Sequence, residues 1–534
     1  MSRKQRHQVI EETTTTGISR RDLFKGAGAF VIASGLVVGL PDMAVAAAKA
    51  KPKKGSKLRV GVVGGTNDII DGQKIVAKAD QARLVAGFET LLAFDSNFKP
   101  SNVYGLAESV TTKSLTQYVI KLKKGITFHN KSKLNAEAVI FSLSRLVDEK
   151  LALPSYKALK DYLDPAGLKK IDDLTVEVTL KQPLVDFQST LSGYTNAIVP
   201  VGYTTGGSGT GPYVLKSFTP GRESVHVKNT KYWKKGKPTF DEVTIIDFAD
   251  KPALTNALRS GQIDAAVDIA LTDIEPLKSA AGIKINETSG GGWLTIVMMA
   301  DKAPFDNPKV RQAMRLIVDR KQILDRALQG HGKIANDQFG FIDQNFDANK
   351  FPQRTQDIAK AVDLLKQAGF TKDKPLEIEL GAPDDTGGLI PMAQAFAEQA
   401  KLTDGVVKIT AKAMDATYWD TTYAKVPMYT SFWSPRAYLA QIGATLGYGE
   451  TNYEKTNPSY ADLTAKASGE PDEAKRRELI KQLQKFDFEE GCYIIPVFNA
   501  FADAYSDKLQ GIVNRPSQLN LDYYGRGFQD LSLK

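Results

Sequence analysis

The segment 174–180 alternates strictly between apolar and polar residues, and this pattern limits the possible folds more than any other in the chain. A period of two indicates a β-strand with one buried and one solvated face, which is typical of antiparallel sheets. Shorter alternating runs recur at 58–62, 225–227 and 243–245, and helical patterns lie between them. Strands and helices that mix along the whole chain predict the α/β class.

The segment 308–317 has the clearest helical pattern, with three apolar residues at helical spacing. Asn307 is expected to cap this helix and Pro308 to occupy its first position. The opposite face carries the basic residues Lys309, Arg311 and Arg315.

The composition favours a large soluble protein with more than one domain. A chain of 534 residues is too long for a single ordinary core. With 42% hydrophobic and 25% charged residues, it matches neither disordered nor polytopic membrane chains. The formal net charge of +9 is spread without blocks of like charge, which argues against nucleic-acid binding. The single cysteine, Cys492, lies in an apolar run and is expected to be a buried thiol.

The first 48 residues have the pattern of a bacterial secretory signal. Paired arginines, Arg20 and Arg21, precede an uncharged, glycine-rich stretch at 26–40, and small residues follow up to position 48. The uncharged stretch is too short and too weakly apolar for a permanent membrane span. The arginine pair resembles the twin-arginine signals, whose cargo is exported already folded. We therefore expect 1–48 to be cleaved and the mature protein to be soluble and periplasmic.

Local motifs for catalysis or metal binding are missing from the sequence. No histidine has a second histidine or a cysteine at metal-ligand spacing. The glycine-rich run 206–211 lacks the Gly-Lys-Ser/Thr ending of a phosphate loop. The carboxylates of Asp384 and Asp385, like those of Glu489 and Glu490, are adjacent in sequence and would not face each other. We therefore assign no catalytic residue, cofactor or metal ligand, and we do not expect an enzyme.

Several motifs carry a family resemblance through their order and spacing. They are Phe-Glu-Thr-Leu at 88–91, Gly-Ile-Thr-Phe-His at 125–129 with Leu-Asn-Ala-Glu-Ala-Val at 134–139, Gly-Thr-Gly-Pro-Tyr at 209–213, Tyr-Trp at 232–233, Gly-Gln-Ile-Asp at 261–264, the stretch 305–313, Asp-Arg at 319–320, Asn-Pro at 457–458, and 472–477. Together they resemble the family 5 extracellular solute-binding proteins, the dipeptide and oligopeptide type that feed ATP-driven importers. The resemblance covers nearly the whole mature chain.

The resemblance implies an α/β, two-lobed periplasmic-binding-protein fold of the large type, with an extra subdomain in lobe I and a ligand cleft between the lobes. The boundaries that it implies are the signal 1–48, lobe I at 49–290 with a subdomain at about 96–195, lobe II at 291–496, and a return to lobe I at 497–534. It also implies capture of a small organic solute by hinge closure. The solute would be delivered to membrane permease and ATPase subunits, and a monomer would contact the membrane only through that transporter.

The resemblance also points to a ligand-binding stretch in lobe II. Peptide-binding members carry Trp-x-x-Asp there, and the Asp pairs with the ligand's α-ammonium. The matching stretch here is Trp433-Ser434-Pro435-Arg436, which reverses the charge. An arginine suits a carboxylate or phosphate, so a peptide-like, opine-like or other small solute with an anionic group is expected. An alternative is that Arg436 bridges to a neighbouring acid of the protein.

Other side chains are expected to line the same cleft. Trp433 and Tyr438 would supply aromatic walls, while Asn67 and Asp68 would face them from the loop after the first strand. Trp293 follows the glycines 290–292 at the first crossing between lobes, and it could cover the ligand or belong to the core. Asp68 could instead cap a turn.

Two other classes of function remain open at this stage. A secreted enzyme is one, because catalytic groups usually come from distant positions in sequence. A periplasmic chaperone or sensor partner is the other, using the same cleft on extended polypeptide or on a receptor.

Overall fold

The computed structural model describes residues 56–75, 78–95, 98–288, 291–340, 351–384, 386–415, 417–514 and 528–534. The predicted signal 1–48 and the expected start of lobe I at 49–55 lie outside the described residues, as does Gly290. Within the described ranges, no helix is long and apolar enough to cross a bilayer.

The strands confirm the alternating patterns of the sequence. The strands are β1 Lys57–Val63, β2 Ala93–Phe94, β3 Pro100–Ser101, β4 Ala107–Ser114, β5 Gln117–Leu122, β6 Leu163–Asp172, β7 Thr175–Leu180, β8 Tyr213–Thr219, β9 Glu223–Lys228, β10 Glu242–Phe248, β11 Ala265–Ala266, β12 Ile283–Thr288, β13 Trp293–Met298, β14 Lys333–Ile334, β15 Leu376–Pro383, β16 Val407–Met414, β17 Met428–Trp433, β18 Tyr493–Phe498, β19 Phe501–Ser506, β20 Leu509–Gln510 and β21 Ser532–Leu533.

Helices alternate with these strands. The α-helices are Lys78–Gly87, Ala136–Arg145, Tyr156–Leu159, Phe187–Thr190, Lys251–Arg259, Ile274–Lys278, Pro308–Leu316, Arg320–Leu328, Ile358–Gln367, Leu389–Ala400, Tyr418–Thr421, Tyr438–Tyr448, Tyr453–Thr456, Pro458–Gly469 and Glu473–Glu490. Short 3-10 helices lie at Glu149–Leu151, Tyr194–Asn196, Leu271–Asp273 and Lys401–Thr403. The predicted α/β class is confirmed.

Within the described ranges, the strands form one seven-stranded sheet, two four-stranded sheets and three two-stranded pairs. We call the seven-stranded sheet and one of the four-stranded sheets the first and second main sheets. The first main sheet has the order β12-β19-β11-β1-β10-β9-β8, and β1 runs parallel to β10 and β11. The second main sheet has the order β14-β18-β13-β17 and is antiparallel. The other four-stranded sheet has the order β4-β5-β7-β6 and is antiparallel. Each of these three sheets has its own buried apolar residues, so the chain contains separate cores.

The chain passes twice between the two main sheets. The first passage leads from the end of β12 at Thr288 to β13 at Trp293, and the second leads from β18 at Phe498 to β19 at Phe501. The backbone N–H of Asn499 donates to the carbonyl of Gly292 at 2.7 Å, which ties the two passages together. Two adjacent passages are the connection that a hinge between two lobes requires. The lobe boundaries expected from the sequence stay predictions.

A buried carboxylate explains why several family-like motifs occur together. Glu89 accepts hydrogen bonds from Thr210 Oγ1 at 2.9 Å, Tyr232 OH at 2.6 Å and Trp233 Nε1 at 2.9 Å. These donors come from two motifs of the resemblance, and Glu89 itself belongs to a third. Because a buried carboxylate must be hydrogen-bonded, the motifs are linked by structural need rather than by ligand contact.

The helix Pro308–Leu316 begins as predicted, and two arginines of its basic face are buried. Asn307 caps the helix by accepting from the backbone N–H of Lys309. Arg311 and Arg315 are only 3% and 0% exposed, respectively. Their guanidinium groups donate to backbone carbonyls at the end of the helix Glu473–Glu490. The last carbonyls of a helix lack partners within it, and these arginines supply them.

Candidate functional site

Four buried aromatic side chains form a wall in the second sheet and the segments beside it. Trp293 and Trp433 are cross-strand partners on β13 and β17, with ring centroids 6.3 Å apart, and each is 1% exposed. Phe339 stacks on Trp293 at 5.8 Å and on Tyr438 at 4.9 Å. We call these four residues the aromatic wall. From the sequence, Trp293 could either cover the ligand or belong to the core. In the structure it is part of a packed cluster.

The carboxylate of Glu450, which no sequence motif indicated, forms hydrogen bonds with the aromatic wall and the residues beside it. Glu450 is fully buried and accepts from Trp433 Nε1 at 2.8 Å and from the hydroxyl of Tyr493. Its other oxygen accepts from Ser431 Oγ at 2.8 Å and Tyr423 OH at 3.1 Å. Four donors on one carboxylate fix the plane of the Trp433 indole.

Arg436 lies between the aromatic wall and the other lobe. Its guanidinium carbon is 5.0 Å from the centroid of the Trp433 ring, a cation–π distance. Burial raises the pKa of Tyr194 to about 12, and the nearby charge of Arg436 opposes that rise. Tyr194 belongs to the part of the chain before the first passage and accepts from Gln81 Nε2 at 2.9 Å. Arg436 therefore has the indole of one lobe and a tyrosine of the other as neighbours.

Apolar and helical contacts also join the two parts of the chain near the wall. The helix Tyr438–Tyr448 packs against the helix Tyr156–Leu159. Val185 packs against the buried cluster that contains Trp293, Trp433 and Tyr438. Ser434, half-buried, is in the loop between β17 and this helix. The stretch predicted to bind ligand therefore lies where the lobes meet.

Tyr438 points into the interior of the second lobe. Its hydroxyl donates to one carboxylate oxygen of Asp487, and Tyr460 OH donates to the other oxygen at 3.1 Å. A cavity of about 10 Å³ lies beside Asp487 and is also lined by Glu454 and Cys492. That volume is about the space needed by one water molecule. Cys492 is buried, as predicted, and burial raises its pKa to about 12.

Asn67 and Asp68 occupy the loop after β1 in the first sheet. Asn67 is exposed. Asp68 accepts from Arg83 Nη1 at 2.9 Å, and the same guanidinium also pairs with Asp80 and Asp247. We call Arg83 and these three aspartates the Arg83 cluster. The sequence suggested that Asp68 either faces the ligand or caps a turn, and it did not predict the ion pair with Arg83. The role of Asp68 in ligand binding stays a prediction.

Metal coordination finds no support in the described ranges. No three or more His, Cys, Asp or Glu side chains there are arranged to hold an ion. His129 instead directs its two ring nitrogens at the carbonyls of Gly207 and Gly211, at 3.2 and 3.0 Å.

The buried carboxyl of Asp487 should make stability depend on pH. Burial raises its pKa from an ordinary 3.8 to about 7, so the folded state holds the proton more tightly than the unfolded state. The stabilising contribution of this protonated carboxyl is fully present below about pH 4, the pKa of the unfolded state, and it is lost as the pH rises through about 7. We expect the free energy of unfolding to fall by at least about 1.4 kcal/mol between pH 5 and 8, the equivalent of one pKa unit.

Urea unfolding of the wild type and Asp487→Asn at both pH values measures this effect. The asparagine variant should show a smaller fall, and Asp404→Asn, at an exposed carboxylate, should keep the wild-type fall. Equal falls in all three proteins would contradict the prediction. Glu454 and Asp80, whose pKa values burial also raises to about 7, should account for part of what remains.

Comparison with known proteins agrees with this architecture. Residues 102–455 match the family described as bacterial extracellular solute-binding proteins, family 5 Middle. The chain is 26% identical over 509 residues to the glutathione-binding protein GsiB of Pectobacterium atrosepticum, covering 89% of this chain and 95% of that protein.

Solved structures show the same fold. The binding protein AgaA from A. tumefaciens R10, in complex with agropinic acid, superposes with a TM-score of 0.74 at 21% identity, covering 90% of this chain and 99% of AgaA. The ABC transporter-associated periplasmic binding protein DppA from Helicobacter pylori, in complex with the peptide STSA, gives a TM-score of 0.72 at 19% identity, covering 89% and 98%. The expected periplasmic-binding-protein fold is thereby confirmed. Since the family match spans most of the chain, the protein belongs to the family 5 bacterial extracellular solute-binding proteins.

Proposed function

We propose that this protein captures a small organic anion for an ATP-driven importer, with Arg436 as the anchor of the anionic group. Membership of the solute-binding family supports delivery of a solute to permease and ATPase subunits. The protein would act in the periplasm as a monomer, after export through a twin-arginine signal cleaved near residue 48. It would carry out no reaction on the solute.

The position of Arg436 is the observation that carries this proposal. Its guanidinium stacks on Trp433, which Glu450 holds in place, and Tyr194 approaches it from the other lobe. An arginine that is stacked and partly shielded from water pairs strongly with a carboxylate or phosphate. A cation there repels the α-ammonium of an ordinary free peptide.

The other predicted site residues support the anchor in different ways. Trp293 and Tyr438 are buried in the packed cluster beside the loop and would support it, while their contact with the ligand stays a prediction. Ser434 lies within the loop, and its hydroxyl is available to the anion. Asn67 and Asp68 would approach from the first lobe, with Asp68 oriented by Arg83.

Two of the compared proteins support an acidic solute. GsiB is named for glutathione, and the AgaA structure contains agropinic acid. Both compounds carry carboxyl groups, which Arg436 could pair with in this chain.

The substitution Arg436→Ala tests the anchor. A thermal-shift screen of N-blocked peptides, opine-like acids, dicarboxylic acids, phosphates and free dipeptides first identifies an anionic ligand, because a ligand of the native state raises the melting temperature. Arg436→Ala is then expected to weaken its binding by about 1.5–3 kcal/mol, or roughly 10- to 150-fold in Kd, as for a hydrogen bond to a charged group.

Isothermal titration calorimetry with two controls completes the test. Arg436→Lys keeps the charge and should lose less affinity, whereas Arg477→Ala, at an exposed ion pair, should bind like the wild type. An unchanged Kd in Arg436→Ala would remove Arg436 as the anchor. Binding of free dipeptides only would overturn the anionic assignment.

A further inference from the structure

A histidine and a glutamate meet where the chain passes between the two main sheets. Nδ1 of His331 lies 2.8 Å from Oε1 of Glu287, and the two side chains are only 15% and 19% exposed. Glu287 belongs to β12 in the first main sheet, whereas His331 comes two residues before β14 in the second main sheet. Their contact therefore joins the two lobes next to the hinge.

The backbone holds His331 against the second passage of the chain. Gly332 has a φ of +104°, and a Cβ atom there would lie 2.4 Å from the carbonyl oxygen of Phe498, so only glycine allows this approach. The backbone N–H of His331 donates to the carbonyl of Leu328 at 2.8 Å. Lys333 then pairs with Phe498 between β14 and β18. The imidazole is thus attached to the sheet of the second lobe.

The first lobe holds Glu287 in place from the other side. Glu287 pairs with Ala502 between β12 and β19. Its Oε2 lies 3.9 Å from Nζ of Lys278, which also pairs with Glu275 at 2.7 Å. The helix Ile274–Lys278 packs against β12, so these charges move together with Glu287. Among these contacts, the one with His331 is the contact that depends on how the lobes are arranged.

Two further charged groups lie near the histidine within its own lobe. Asp325 Oδ1 is 3.6 Å from a Cβ atom built on Gly330, and this carboxylate already pairs with Lys321. Lys333 follows His331 by two residues and adds a positive charge. Glu287 is the charged group that lies within hydrogen-bond distance of the imidazole.

The protonation state of His331 sets the strength of this contact. Histidine is the side chain whose charge ordinarily changes between pH 5 and 8. The protonated ring forms a charge-assisted hydrogen bond with the Glu287 carboxylate. The neutral ring can still donate one N–H, but hydrogen bonds between neutral groups are about half as strong as charge-assisted ones. Acidification therefore strengthens a contact between the lobes.

We propose that His331 and Glu287 form a pH-sensitive latch that favours the closed arrangement of the lobes in mild acid. The lobes meet at Arg436 and Tyr194 in this structure, so the latch contact belongs to the closed arrangement. Opening by bending of the two passages would separate groups on either side of them. A contact made in one arrangement and lost in the other shifts the equilibrium between them.

The latch adds regulation to the capture of a solute. It rests on the hinge closure of the proposed function, but it does not depend on Arg436 as the anchor. Because the solute is held in the closed arrangement, a latch that favours closure in acid also strengthens solute binding there. Binding would weaken as the pH rises and the ring loses its proton.

Single-molecule FRET on the ligand-free protein tests the latch. Dyes attached through Lys216→Cys on β8 and Lys408→Cys on β16 lie on strands away from the hinge, one in each lobe. Both lysines are exposed, whereas the native Cys492 is buried. The ratio of closed to open molecules should be at least about fivefold higher at pH 5 than at pH 8. A wild-type ratio that does not change with pH would overturn the latch.

Three variants assign the pH response to the pair. His331→Gln keeps a neutral donor, and Glu287→Gln removes the anion, so in both the ratio should change less than about twofold between the two pH values. Glu275→Gln removes a nearby carboxylate that pairs with Lys278 instead, and it should respond like the wild type. A wild-type response in His331→Gln would contradict the proposal. If that variant does not fold, as judged by thermal unfolding, Glu287→Gln decides the question.

The outcome is separable from that of the anchor test, because no solute is present. A normal FRET response together with unchanged anion binding in Arg436→Ala would leave the latch standing and remove the anchor. Weakened binding in Arg436→Ala together with no FRET response would leave the anchor standing and remove the latch.

Discussion

Replacing Arg83 by methionine is expected to lower the free energy of unfolding by about 3–5 kcal/mol. The Arg83 side chain is fully buried, and its guanidinium contacts Asp68 at 2.9 Å, Asp80 at 3.3 Å and Asp247. Methionine fills a similar volume but leaves three carboxylates together without a compensating cation. Removing one partner of a buried ion pair is strongly destabilising, because the remaining charge stays buried.

Urea unfolding of Arg83→Met and Arg477→Met measures this loss. Arg477 pairs with Glu473 at 3.1 Å, but both side chains are largely exposed. The same substitution at that exposed pair should change stability by less than about 1 kcal/mol. A loss in Arg83→Met no larger than in Arg477→Met would show that the Arg83 cluster does not depend on its cation.

The Arg83 cluster also changes how Asp68 must be tested. A substitution at Asp68 removes a partner of Arg83, so weaker ligand binding alone would not identify a ligand contact. Asn67, the exposed neighbour in the same loop, has no such complication. Comparing the two positions separates direct contact from support of the loop.

Individual strands and helix N-caps could be predicted from short sequence patterns. The alternation at 174–180 predicts β7, observed at Thr175–Leu180. The N-cap Asn307 accepts a backbone N–H as expected, and Asn135 caps the helix Ala136–Arg145 in the same way. These features depend on residues within a few positions, which a single sequence displays directly.

Long-range polar contacts could not be predicted in the same way. Glu450 follows a helix with no motif around it, yet it joins Trp433 and Tyr493, which lie 17 and 43 positions away. Periodicity places Arg311 and Arg315 opposite the apolar stripe of their helix, but it does not reveal that the end of another helix lies against them. The stretch Trp433–Arg436 was predicted only from its match to the family's Trp-x-x-Asp motif, and its role in binding stays a prediction.

Glu450→Gln is the second substitution expected to have a large effect. The carboxylate of Glu450 is an acceptor at both oxygens, and its four donors come from Ser431, Trp433, Tyr423 and Tyr493. A glutamine of the same shape can keep its oxygen toward Trp433 and Tyr493, but its NH₂ group then faces the hydroxyls of Ser431 and Tyr423, whose two protons lose their acceptor. Since each unsatisfied buried donor costs about 1–3 kcal/mol, we expect a loss of about 2–6 kcal/mol in the free energy of unfolding.

Glu454→Gln makes the same change four residues away and serves as the control. Burial raises the pKa of Glu454 to about 7, so below pH 7 its neutral form is favoured, and at such a pH stability should change by less than about 1 kcal/mol. Ligand titration of both variants then links stability to function. If Glu450 orients the indole under Arg436, Glu450→Gln should weaken anion binding even at temperatures where it is fully folded. Unchanged affinity in the folded variant would mean that the loop holds Arg436 in place without the indole.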